Sequence, residues 1–294
     1  MSLIVQLALN TLQIGSVYIL FALGLTLVFG VMKVINFAHG QFFTLAALLV
    51  GTIMPSLMSS SGLSLWASYL VACAVSLAIV LALAAFVFQI GYRKYLRDLI
   101  GSFILSVGLL LLLDGVYLWV FTGVPRVVPN LFPGQVRIAG GVVEYQRLFI
   151  SFGSALAAAL LLAVMKYSKL GSALRAVAED QEAAALQGIP YSRISLYGFL
   201  IGSGLAAIAG CLIAPVSAIT PFLGTDYLIK GFIIIILGGL GSIGGAVAAG
   251  FAIALVESVV GYVYDPTAAV ISMFGLIAVV LLIRPQGMFG HVVR

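Results

Sequence analysis

Charge, histidine and cysteine are all scarce in this sequence, and each shortage removes a class of function. Only 14 side chains are basic and 9 acidic, 8% of the 294 residues, while 63% are hydrophobic. With just two histidines, His39 and His291, and no HExxH or GxSG motif, there is little catalytic machinery for a membrane enzyme. No Gly-x4-Gly-Lys-Ser/Thr loop is present, so any ATP hydrolysis must belong to a partner. The two cysteines, Cys73 and Cys211, lie inside apolar runs and read as small core residues rather than a disulfide. No cofactor, metal or nucleic-acid partner is expected. The N-terminus MSLIVQLALN has no basic stretch before its apolar run, so no cleavable signal peptide is expected.

What is present is long apolar sequence, with a mean hydropathy of +1.24. The fold class is therefore all-α, a polytopic helical membrane protein of about eight or nine transmembrane helices. Nine apolar segments can be drawn, near 8–31, 37–54, 64–90, 100–121, 148–166, 194–216, 227–240, 244–262 and 267–284, within a single domain over 1–294. Those at 37–54 and 227–240 are short for a bilayer and suggest tilted, broken or re-entrant segments. With nine spans, the first four and last four run in opposite senses around the fifth, the arrangement of an inverted repeat.

Orientation follows from Lys and Arg. Placing the loop 167–193 in the cytoplasm puts Lys33, Arg93, Lys94, Arg97, Lys166, Lys169, Arg175, Arg193, Arg284 and Arg294 inside. Arg126, Arg137, Arg147 and Lys230 then lie outside, so the bias obeys the positive-inside rule. The N-terminus is expected outside and the C-terminus inside.

The densest charge sits in Lys166 to Arg193, with seven of the chain's charged residues. Ser172 is expected to cap a helical run Ala173 to Ala178, and Asp180 a second run, Gln181 to Gln187, ended by Gly188 and Pro190. Helices this short do not hold themselves together in water, so a soluble partner should receive this stretch. Ala183, Ala184 and Ala185 give it a small-residue surface suited to a groove, and Glu179 and Glu182 can set its register.

The other long loop, 122–147, is expected outside. Pro125, Pro129 and Pro133 forbid a continuous helix, and QVRIAGGVVEYQRL reads as a β-hairpin turning at Gly140-Gly141. Its charges Arg126, Arg137, Glu144 and Arg147 are candidates for docking an outer partner.

Polar residues inside the spans are the remaining candidates. Asn36, His39, Asp114 and Glu257 interrupt apolar sequence and are assigned to the translocation pathway, with Asn36 and His39 weighed also as satisfying broken backbone. Asp226 and Lys230, four apart, are expected to pair on a helix. Gly239 to Gly244 matches GxGxxG without any βαβ context, so tight helix packing through Gly241 and Gly245, or a helix break, is the better account. A channel would show a filter sequence or ring of charge, and neither is visible.

LGLTLVFGVMKVINFAHG (23–40), LRAVAEDQEAAALQGI (174–189), GFIIIILGGLGSIGGAVAAG (231–250) and RPQGMFG (284–290) together resemble the permease subunits of branched-chain amino-acid ABC importers. The NFAHG signature and short chain resemble the smaller of the two permease types. The resemblance implies a bacterial inner-membrane complex of two permeases, two cytoplasmic ATPases and a periplasmic binding protein, surrounded by membrane lipid. It also implies that Glu179 to Ile189 is the coupling helix seated in a groove of the ATPase, with Arg175 just before it. Relatives with this pattern also carry urea, amides or other small polar solutes. An ion-coupled secondary transporter is the contrasting alternative, but it would usually hold more ionisable groups near the midplane.

Overall fold

The computed structural model describes residues 2–290; His291, Val293 and Arg294 lie outside the described residues. Eleven α-helices and one hairpin are present among them. In chain order they are α1 (Ser2–Met32), α2 (His39–Ser61), α3 (Leu65–Ile90), α4 (Leu99–Phe121), β1 (Gln135–Ile138), β2 (Gly141–Glu144), α5 (Tyr145–Tyr167), α6 (Lys169–Glu179), α7 (Gln181–Leu186), α8 (Tyr191–Ile213), α9 (Leu223–Gly238), α10 (Ile243–Val263) and α11 (Pro266–Ile283). Helices satisfy every internal backbone group within the segment, which is what lipid demands of apolar sequence.

Nine helices coincide with the nine apolar segments, and α6 and α7 make the charged loop. Eight of the nine are long and apolar enough to cross a membrane. The exception is α9, whose 16 residues reach ~24 Å, short of the ~30 Å hydrocarbon core. The other short segment is corrected: α2 runs to Ser61 with Pro55 inside it. A proline deletes only one N–H, a loss that membrane helices tolerate.

Burial divides core from periphery. In their most apolar stretches 83% of α1 and 78% of α8 is buried, against 17% of α4 and 11% of α11. At the crossing of α1 and α8 a Cβ on Gly24 would stand 2.7 Å from the Gly202 carbonyl oxygen. Small residues let these two backbones meet, as membrane helix packing requires.

Two crossings are interrupted. After α1 the chain leaves helix over 33–38, and after α8 it runs through one 3-10 turn and irregular backbone over 214–222. His39, the first residue of α2, lies beside Gly24. Gly24 is eight residues, or ~12 Å, from the end of α1, so α2 begins inside the span and not at its rim. The start of α9 lies against it: the Gly224 N–H donates to Thr44 Oγ1 at 2.9 Å. A Cβ on Gly224 would stand 2.0 Å from the Gly40 carbonyl oxygen. The order α1–α2 is thus matched by α8–α9 running in the opposite sense.

Gly241 and Gly245 do not form one helical packing stripe. Gly241 lies in the break between α9 and α10 with φ +83°, and Gly245 packs on Gly238 instead. The stretch after α11 closes that break, with the Met288 and Phe289 N–H groups donating to Leu237 O and Gly238 O at 2.8 and 3.1 Å.

At the opposite face β1 and β2 pair from Gln135↔Glu144 to Ile138↔Gly141. The turn is therefore Ala139-Gly140, one residue earlier than expected, with φ +49° and +87°. Two positive φ values match the right-handed twist of a two-residue hairpin. Gln6 of α1 bonds both the N–H and the C=O of Val142, at 2.8 and 3.1 Å.

Candidate functional site

The first interruption is a polar joint in an apolar core. Asn36 Oδ1 accepts from the Ala38 N–H at 3.0 Å and from the Tyr92 hydroxyl at 2.7 Å, replacing a missing helical turn. Ser106 of α4 donates to Ile35 O at 3.2 Å. His39 is fully buried and sits edge-on to Phe21 at 5.0 Å, and among the described residues neither ring nitrogen meets a partner at good hydrogen-bond geometry. Of the pair weighed as satisfying broken backbone, Asn36 does so through its side-chain oxygen.

Two residues into α2, Gln41 donates to Asp114 Oδ1 at 2.9 Å, and its backbone carbonyl accepts from Tyr117 at 3.1 Å. Asn36, His39 and Asp114 are thereby gathered around the start of α2. Phe37 leads outward from this joint, with ring centroids 5.4 Å from Phe103 of α4 and 4.8 Å from Phe232 of α9. Phe103 and much of α4 are exposed, so the joint lies near an uncovered face of the subunit.

Glu257 belongs elsewhere. Its carboxylate accepts from Lys230 at 2.7 Å and from the Tyr18 hydroxyl at 2.7 Å, tying α10 to α9 and α1. Lys230 also donates to Tyr18 Oη. Asp226, expected as the partner of Lys230, lines the same cavity of about 310 Å³ without pairing with it. A lysine stem lying against apolar neighbours carries its head to whichever acid that packing presents, and here that acid comes from another helix.

The charged loop is mounted on the body by α6. Ser168, not Ser172, is its N-cap, accepting from the Gly171 N–H at 2.9 Å. Leu174 and Val177 are fully buried, while Ser172, Arg175 and Glu179 face out. Arg175 donates to Ser172 Oγ at 3.3 Å. Asp180 then caps α7, accepting from the Glu182 and Ala183 N–H groups at 2.8 and 3.0 Å. The far end turns at Gly188, whose φ of +80° suits only glycine without strain. Ile189 N–H returns to Ala184 O at 3.1 Å.

The alanine surface needs a correction. Ala184 is buried against its own chain and does not face a partner. On a helix of 3.6 residues per turn the outward side is then Glu182, Ala183, Ala185 and Leu186, with Leu186 87% exposed. An exposed leucine on a six-residue helix is the feature that the sequence analysis missed; its place beside three alanines was the available signal.

At the hairpin face Arg137, Glu144 and Arg147 are exposed, the last two paired at 3.2 Å. Arg126 leaves the docking set. It is half-buried, donates to Thr52 Oγ1 at 2.7 Å and Phe121 O at 3.1 Å, and its backbone pairs with Ile219. Its side chain fastens the outer loop to α2, and its backbone fastens it to the second interruption.

Comparison with known proteins fits this arrangement. Residues 7–283 match the family described as branched-chain amino acid transport system, permease component. The high-affinity branched-chain amino acid transport system permease protein BraD of Pseudomonas aeruginosa is 32% identical over 97% of this chain and 95% of its own. The LivH permease proteins of Escherichia coli K12 and Salmonella typhimurium are each 31% identical, with the same coverage. The matched region contains both interrupted crossings, the α6–α7 segment and the β1–β2 hairpin. This chain belongs to that family of ABC transport permeases, as a multi-pass transport subunit whose ATP hydrolysis resides in partner ATPases.

Proposed function

We propose that this permease forms half of a pathway for branched-chain amino acids, delivered by a periplasmic binding protein and driven by two ATPases. The second half is a homologous permease packed on the uncovered face near α4 and α9. The observation that carries the reading is α7, a short helix capped at both ends, held beside α6 (which buries Leu174 and Val177), and presenting Leu186 and two alanines outward. That geometry fits helix-in-groove docking of a soluble partner. Asp180, Gly188 and Ile189 hold its shape; Glu179, Glu182, Ala183 and Arg175 face the partner.

The α6–α7 face is then cytoplasmic, with the N-terminus outside and the C-terminus inside. Arg137, Glu144 and Arg147 greet the binding protein, and Asn36, His39 and Asp114 stand at the joint where the pathway opens. Glu257 serves the outer cavity. In proteoliposomes holding the complete complex, a solute panel should show leucine, isoleucine or valine as the best substrate. Leu186→Glu should cut solute-stimulated hydrolysis at least ~tenfold, since it places a charge in an apolar contact worth a few kcal/mol. Full stimulated hydrolysis in that variant would refute the docking role, and preference for urea or an amide would refute the solute class. A cysteine at Ser2 should react with an impermeant reagent in sealed cells, and one at Val293 should not.

A further inference from the structure

Lys33 occupies the joint between the charged loop and the first interruption. It directly follows α1, and its backbone is left-handed with φ +57°, uncommon for a residue with a Cβ. Its N–H still donates to Phe29 O at 2.7 Å, closing the last turn of α1. From that point the chain turns back into the span towards Asn36. The ammonium goes the other way and donates to Ala178 O at 2.8 Å.

Ala178 lies in the last turn of α6, where carbonyls lack helical partners and the dipole is negative, so a cation is a fitting cap. Gln181, the first residue of α7, reaches Val31 O at 3.5 Å. Both short helices are therefore fastened to the last turn of α1. Beyond Lys33 the interruption has little slack, because Ile35 O is held by Ser106 and Asn36 by Tyr92. A displacement at the end of α6 reaches Asn36 through three residues that are bonded at both ends.

We propose that Lys33 is a positioning residue that carries movement of the α6–α7 segment into the start of α2. The covalent routes from α7 run through Gly188 and Pro190 into α8 and back through α6 into α5, and neither reaches α1 or α2. Lys33 adds a route to α1 and α2, so one stroke acts on both interrupted halves. Coupling of this kind needs a physical element whose two arrangements both sites bias, and the short tether 33–38 is that element. The inference rests on α7 being the ATPase contact.

Lys33→Met keeps the apolar stem and removes the donor, whereas Lys33→Arg keeps the cation. Both would be assembled with the ATPases and binding protein in proteoliposomes, with leucine as the probe solute. Lys33→Met should retain basal hydrolysis while solute moved per ATP falls about tenfold, within the usual range of coupling factors, and Lys33→Arg should restore most of it. A cap with a purely structural role would change the yield of complex and leave that ratio alone. A measurement that keeps Lys33 guards against misfolding of the methionine variant. A cysteine at Phe37 should change its labelling rate when a non-hydrolysable ATP analogue is added, and Leu186→Glu should abolish that response. An unchanged ratio in Lys33→Met, or a Phe37 position indifferent to nucleotide, overturns the role of Lys33. If Leu186→Glu is inactive while Lys33→Met transports with the parental ratio, only Lys33 is overturned. Full stimulated hydrolysis in Leu186→Glu removes the α7 contact and this inference together.

Discussion

The two interrupted crossings are alike in outline and opposite in attachment. Each follows a deeply buried helix, and each feeds a helix that starts inside the membrane, α2 after α1 and α9 after α8. The first interruption is six residues long and held by side chains: Asn36 to Tyr92, Ile35 to Ser106, Lys33 to Ala178. The second, over 214–222, is held by backbone, with Arg126 and Ile219 exchanging two hydrogen bonds of 2.9 Å. One interruption is therefore tied to the α6–α7 face and the other to the loop 122–147 at the opposite face. They meet where Gly40 touches Gly224. Under the proposed function, ATP would act on one side and a loaded binding protein on the other, and this pair of ties would give each signal its own entry.

The contact between the two halves should be the most sensitive place to break. In Gly224→Val the new Cβ would meet the Gly40 backbone at 2.0 Å, and backbone cannot swing aside. A cost of about 3 kcal/mol or more is expected, seen as lost monodisperse protein or a much lower thermal midpoint in detergent. Gly275→Val on exposed α11 has nothing within 4 Å and should be near neutral. Equal behaviour of the two would mean that the interruptions do not bear on one another.

The difference in attachment predicts a smaller, graded effect. Asn36→Ala removes the acceptor of both Ala38 N–H and Tyr92 in a dry site, and should cost about 2 kcal/mol. Arg126→Met keeps the backbone pair with Ile219 and should cost about 1 kcal/mol. Thermal unfolding of the two variants under one condition orders them. The reverse order would show that the second interruption depends on the arginine side chain.

The smallest effect belongs to the outer face. Reversing Arg137 and Arg147 should raise the binding-protein concentration for half-maximal transport about threefold at low salt, and less at 0.5 M, because exposed charges are screened. Stability should not move, since among the described residues Arg137 makes no ion pair and the Arg147–Glu144 pair is half-exposed. An unchanged concentration dependence would leave the outer loop as a fastening for the interruption beneath it.

Much of this was legible before any coordinates. Apolar runs located nine helices, because lipid forces a continuous apolar segment to satisfy its own backbone. The cap at Asp180 and the stop at Gly188 were readable because capping is a local matter, settled within four residues. The choice of Ser172 over Ser168 failed because two serines four apart offer the same chemistry, and packing of Leu174 and Val177 decided how far α6 extends.

Pairings across the fold were not legible. Lys230 chose Glu257 over Asp226, Arg126 turned inward, and Ala184 faced its own chain, since each depends on which helix lies alongside. The sequence by itself determined the class, the number of helices, the family and the existence of the charged loop, because composition and local spacing carry that information. Only the tertiary structure decided that α2 and α9 begin inside the membrane and touch at glycines, and that Lys33 ties one of them to the loop. The glycine contact and the Lys33 tie join residues some 145 to 185 positions apart, and no local pattern specifies the partner of a contact that the fold must first bring together.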